Sequence, residues 1–145
     1  MQPQNLLILD PVNIPQLALE SMNKVHREEV VLINQLAALL QQAKDHQADN
    51  AAITENLHEW VQHTREHFAG EERLMMDYGF PAYAFHASEH ERVMAQIQSL
   101  QNQWLDRNEI KPLYEFVFSN WPRWFNDHVN SMDRVTAEFI SQRMS

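Results

Sequence analysis

Histidine and carboxylate residues recur along this chain at intervals that suit metal coordination. His63, His67 and Glu71 stand at consecutive steps of four, so in a helix all three project from one face. His86 and His90 repeat that step, Asp133 follows His128 by five residues, and His26 stands alone near the start of an apolar stripe. Imidazole nitrogen and carboxylate oxygen are both metal-ligating donors. One histidine on an apolar face is ordinarily a core residue satisfied by a hydrogen bond. Four segments aiming such groups at one interior would leave several of them unpaired, at about 1 to 3 kcal/mol apiece, and a metal removes that cost. The chain has no cysteine, which excludes disulfides, a thiolate nucleophile and thiolate-held zinc or iron–sulfur clusters. Any metal is therefore held by nitrogen and oxygen.

The segments that position these residues read as helices. No proline occurs between Pro15 and Pro81, and the only glycines are Gly70 and Gly79, so the punctuation of strands and hairpins is missing. Met22, Val25, Ile33, Leu36 and Leu40 recur at helical spacing and predict a helix over 16–44. The polar stretch Asp45 to Asn50 follows. Ile53, Leu57, Trp60, Val61 and Phe68 predict a second helix over 51–78, closed by Gly79 and Pro81. Val93, Met94, Ile97, Leu100 and Trp104 predict a third over 82–106. Phe116, Val117, Trp124, Phe125, Val129 and Phe139 predict a fourth over 113–143, with Pro122 inside it, where the helix should kink or restart. Helices of about 37 Å joined by short links predict an all-α, antiparallel up-down-up-down four-helix bundle. A length of 145 residues fits one domain over 1–145.

Twenty Asp and Glu against eleven Lys and Arg give a net charge of −9, which repels a phosphate backbone or an anionic membrane surface. Nucleic acid and membrane are therefore not expected as partners. The apolar run Leu6 to Leu9 is too short for a secretory core or a membrane span, so the expected location is the cytoplasm.

Taken in order, His26, His67-Phe68-Ala69-Gly70-Glu71-Glu72, His86-x3-His90 and Trp124-Phe125-x2-His128-x4-Asp133 resemble hemerythrin and its bacterial relatives over nearly the whole chain. The resemblance implies two non-haem iron ions. It implies that His86, His90 and His128 bind one iron, that His26 and His67 bind the other, and that Glu71 and Asp133 bridge them together with an oxo or hydroxo group. Two six-coordinate irons offer about twelve positions and these groups fill about eleven, leaving one for O2. A closed zinc site would need only about four ligands. Trp124 and Phe125 are expected to line the pocket, Trp124 covering the site and Phe125 keeping it dry, roles compatible with being plain core aromatics. Five residues turn an ideal helix by about 140°, so His128 and Asp133 require a local widening or a sideways approach of Asp133.

Some residues depart from the family. It usually has Asp where Asn23 stands, and Asn5 to Ser21 looks unlike it, which leaves the start of the first helix open. It usually has an apolar residue at Glu29 and Tyr at His63. These two are expected to form a hydrogen-bonded shell around the ligands or to supply extra ligands. His46 and His58 are expected to be exposed. Glu55-x2-His58 is similar to the ligand motif of ferritin-like di-iron bundles, which need it on two helices with two further glutamates.

The resemblance implies a protein that binds O2 reversibly for transport, storage or sensing, a binding protein more naturally than an enzyme. A carboxylate near the oxygen pocket would favour the alternatives: a di-iron enzyme acting on peroxide or nitric oxide, or an oxygen or redox sensor acting through an unidentified protein partner.

Overall fold

The structure, a computed structural model, describes residues 7–144. Residues 1–6 and 145 lie outside the described residues, and with them part of the expected 1–145 domain and of the Leu6 to Leu9 run. Every element among the described residues is helical, and none is long and apolar enough to cross a membrane.

Helix α1 spans Glu20–Lys44, starting later than the expected residue 16. Asn23 explains the delay. Its Oδ1 accepts the Leu17 N–H at 2.8 Å and its amide donates to the Leu17 carbonyl at 3.1 Å, holding Leu17 outside the helix. Leu19 is extended, and Ile14, Leu17 and Leu19 are buried. Asn34 acts likewise, accepting from Ile8 at 2.8 Å and donating to the Leu9 carbonyl at 2.9 Å. Two asparagines, Asn23 in the first turn of α1 and Asn34 in its middle, thus fasten the lead-in segment along the helix.

Helix α2 spans Asn50–Asp77, and Asp49 caps it by accepting the Ala52 N–H at 3.0 Å. Gly79, at φ 65°, turns the chain after it in the left-handed region that glycine adopts without strain. Helix α3 spans Tyr83–Arg107 and ends at left-handed Asn108, whose amide donates to the Trp104 carbonyl at 2.9 Å.

The fourth rod is continuous: α4 (Ile110–Glu115), a π segment (Phe116–Asn120), α5 (Trp121–His128), a second π segment (Val129–Asp133) and α6 (Arg134–Ser141). It starts before the expected Leu113 because Pro112 falls in the first turn, where a missing N–H costs nothing. The restart expected at Pro122 does not occur. The widened turn just before it gives room to a ring that would otherwise crowd the carbonyl four residues back.

Helix α1 packs on α2 and α2 on α3, while the fourth rod packs against α1, α2 and α3, forming a helical bundle. Trp60, Trp104, Trp121, Phe125, Ile33, Leu36, Leu40 and Ile97 are fully enclosed in its core. At about 25 cal/mol per Å² this apolar burial is the main force holding the rods together. It also holds the polar cluster described next.

Candidate metal centre

Seven buried side chains from four rods converge on one interior site: His26 from α1, His67 and Glu71 from α2, His86 and His90 from α3, and His128 and Asp133 from the fourth rod. They form two overlapping groups. Glu71, His86, His90, His128 and Asp133 bring ligand atoms within 4.8 Å of one another, and so do His26, His67, Glu71 and Asp133. Glu71 and Asp133 belong to both.

The inner contacts are short. His67 Nε2 lies 2.9 Å from Glu71 Oε2 and His90 Nε2 lies 3.2 Å from Glu71 Oε1. Asp133 Oδ1 lies 3.1 Å from His86 Nε2 and 3.2 Å from His128 Nε2, and Asp133 Oδ2 lies 3.2 Å from His26 Nε2. Proximity does not satisfy these atoms. Both nitrogens of His26, both oxygens of Asp133, Glu71 Oε1 and His90 Nε2 are buried without a well-aimed hydrogen bond. Donor atoms that face one another while lacking partners fit a shared cation, since leaving each unpaired costs about 1 to 3 kcal/mol.

The outer nitrogens are held from behind. His86 Nδ1 is 2.9 Å from the Thr136 hydroxyl, His90 Nδ1 is 2.9 Å from Glu72 Oε2 and His67 Nδ1 is 3.3 Å from Glu29 Oε1. With the proton on Nδ1, each ring turns its Nε2 lone pair inward, the form a metal takes. Thr136 and Glu72 escaped the sequence reading. Glu72 has a faint signal as the neighbour of Glu71, but Thr136 meets His86 only through packing of the fourth rod on α3.

His128 and Asp133 are five residues apart, and the second π segment lies between them. The wider turn brings Asp133, 1% exposed, back to the face that carries His128.

Glu29 lies outside both ligand groups. It is 1% exposed, and its oxygens accept from His63 Nδ1 at 2.6 Å, from the Thr64 hydroxyl and from His67. His63 is half-buried and its Nε2 is 3.3 Å from Glu28 on the surface. The geometry therefore favours the hydrogen-bonded shell over the extra ligand. His46, His58 and Glu55 are exposed.

The electrostatics follow from burial set against opposite charge. Burial alone would raise Glu29, but the hydrogen bonds from His63 and His67 outweigh it and hold the carboxyl at about 2. The Glu29 hydrogen bond raises His63 in turn, against the effect of burial. Burial likewise opposes charge on His26 and His67, yet the carboxylates beside them lift both above the usual imidazole value. Burial would raise Glu71 and Asp133, and the surrounding histidines hold both below the carboxylate range. Without a metal the cluster keeps protons on histidine; a cation would displace them.

Aromatic rings close the site. Trp124 stacks on His128 with centroids 4.5 Å apart, and its indole N–H donates to Glu89 at 2.7 Å. Phe125 meets His26 edge-on at 5.5 Å. Phe68 lies flat on His90 at 4.0 Å, a contact the sequence reading counted only as core.

The Hemerythrin HHE cation binding domain matches this chain over residues 17–140, a span that takes in all seven converging residues. The bacteriohemerythrin of Aquifex aeolicus is 26% identical over 132 residues, covering 91% of this chain and 97% of that protein. That of Ralstonia nicotianae is 30% identical over 96 residues, covering 66% and 69%, and that of Pseudomonas aeruginosa is 28% identical over 127 residues, covering 88% and 78%.

Proposed function

Because the chain belongs to the hemerythrin family, we propose that it is a di-iron protein that takes up O2 reversibly. His86, His90 and His128 would hold one iron and His26 and His67 the other. Glu71 and Asp133 would bridge the pair together with an oxo or hydroxo group. The observation that carries this reading is the set of inward-facing, unpaired donors in two groups that share both carboxylates. Iron bound there would supply redox chemistry and a place for O2 to bind.

The chain's own residues do the rest. Glu71 and Asp133 offset part of the cationic charge in a low-dielectric interior. Glu72 and Glu29, which only accept, hold the proton on Nδ1 of His90 and His67, and the Thr136 hydroxyl orients the His86 ring. Phe68, Trp124 and Phe125 exclude water from the three ligand rings that they touch.

The arrangement also supports a single domain with an antiparallel up-down-up-down order. His26 and His86 come early in α1 and α3, whereas Glu71 and Asp133 come late in α2 and the fourth rod. Such positions meet at one level when successive rods run in opposite directions. Transport, storage and sensing are all consistent with this centre, in a cytoplasmic setting. The pair of buried Glu29 and half-buried His63 favours a second reading, redox turnover of peroxide or nitric oxide, since an apolar wall would serve stable O2 binding better.

Metal analysis of the purified chain tests the proposal, with about two irons per chain expected. An absorption spectrum that changes with O2 and reverses on its removal supports the carrier reading. Irreversible oxidation, or turnover of added peroxide or nitric oxide, supports the second. A chain that takes up no iron overturns both.

A further inference from the structure

We propose that Glu29, fixed by His63 and Thr64, is a positioning residue that acts through His67 to make the iron pair more electron-rich and so lower its reduction potential. The inference rests on the reading that His67 binds iron.

Glu29 receives hydrogen bonds from three side chains and is shielded from water, so its orientation is over-determined. One oxygen is shared between His67 Nδ1, at 3.3 Å, and His63 Nδ1, at 2.6 Å. The other accepts from Thr64. His63 is itself braced from the surface by Glu28. The arrangement is thus a chain of contacts, Glu28 to His63 to Glu29 to His67, ending on the ring whose Nε2 faces Glu71 at 2.9 Å.

Two comparisons within the site single Glu29 out. Glu72 makes the equivalent contact to His90, but its side chain is 28% exposed and has water as a competing partner. His26, which shares the smaller group with His67, has no hydrogen-bond partner on Nδ1 among the described residues. A carboxylate behind a ligating imidazole raises the basicity of the ligand and fixes its ring. The effect grows where the local dielectric is low and nothing else competes for the oxygens. Of the carboxylates behind the ligand rings, Glu29 is the enclosed one. A stronger donor at His67 stabilises the more positively charged, oxidised metals over the reduced ones.

The test uses the iron-loaded full chain and three variants: Glu29→Gln, Glu29→Leu and His63→Phe. Three quantities are read: iron per chain, midpoint potential by anaerobic reductive titration, and solvent exchange of the His67 ring N–H by paramagnetic NMR. All three variants are expected to load iron. The midpoint potential should rise in each, most in Glu29→Leu and least in His63→Phe, where Glu29 remains. Exchange of the His67 N–H should quicken about tenfold or more in Glu29→Leu, consistent with loss of about 1.4 kcal/mol of protection. If Glu29→Leu fails to fold, Glu29→Gln and His63→Phe carry the same test, because they nearly preserve volume. Iron-loaded variants with unchanged potential and unchanged exchange overturn this inference alone. A wild-type chain that takes no iron overturns it together with the reading beneath it.

Discussion

Asp133 Oδ1 lies 3.2 Å from His128 Nε2 although five residues separate the two on one rod. A regular helix would turn Asp133 roughly 140° away, and the π segment Val129–Asp133 removes that mismatch. The widened turn is therefore what lets a five-residue spacing serve the site. Deleting Ser131, whose exposed hydroxyl donates to the Asp127 carbonyl, should restore a regular turn in which His128 and Asp133 stand four residues apart, about 40° from alignment and still on one face. The expected outcome is a helical, folded chain by circular dichroism that still holds a pair of metals by elemental analysis. Loss of the metals in the deletion variant would show that the widened turn places Asp133 in a way that a shared helix face alone does not.

Some of this was legible in the sequence because it depends on helical spacing alone. Steps of four put His67 above Glu71 and His86 above His90 whatever the rest of the chain does. The same spacing sets His63 one turn before His67, where its ring meets Glu29 and the surface, in keeping with the hydrogen-bonded shell that was one of its two expected roles. What the spacing could not supply lies between rods. Thr136 meets His86 across fifty residues, and Asn23 and Asn34 hold a lead-in segment whose path no periodicity encodes. Pro122 was visible as a helix breaker, but the π segment that accommodates it has no separate mark in the residues.

Glu29 predicts the acid limb of stability in the metal-free chain. Its folded value, about 2, lies below the ordinary 4.5, so its contribution is present above 4.5 and is lost as pH falls toward 2. For this enclosed group the linkage amounts to at most about 3 kcal/mol. Urea titrations of the metal-free chain from pH 6 to pH 2 should fall steeply below 4.5, and Glu29→Gln should flatten that fall. Parallel curves for the two proteins would remove Glu29 from the account.

Trp124 joins the site to the surface through two separable contacts, a stack on His128 and an indole N–H to Glu89, which its hydrogen bond to Arg92 holds ionised. Trp124→Phe keeps a ring over His128 and loses only the hydrogen bond, a cost of about 1 kcal/mol. Trp124→Ala loses both and leaves a gap beside a buried ligand, a cost of about 3 kcal/mol. Chemical denaturation of the metal-loaded chain should give that order. Equal losses would mean that the stack contributes little.

The last prediction concerns metal removal, where protons and cations compete for the same nitrogens. In the metal-free chain His26 and His67 sit above the ordinary 6.5, so their contribution is complete below 6.5 and is lost as pH rises through their folded values. Above that range the carboxylates Glu71 and Asp133 remain buried and ionised with fewer compensating charges. The loaded chain behaves oppositely, because ligation requires bare nitrogens and strengthens as pH rises. Bound metal stabilises the fold by RT ln(1 + [L]/Kd), about 4 kcal/mol at a thousandfold excess over Kd. The difference in melting temperature between loaded and chelator-treated protein should therefore be small near pH 5 and widen steadily toward pH 8. A difference that stays constant over that range would mean that histidine protons do not substitute for the metal in holding the four rods together.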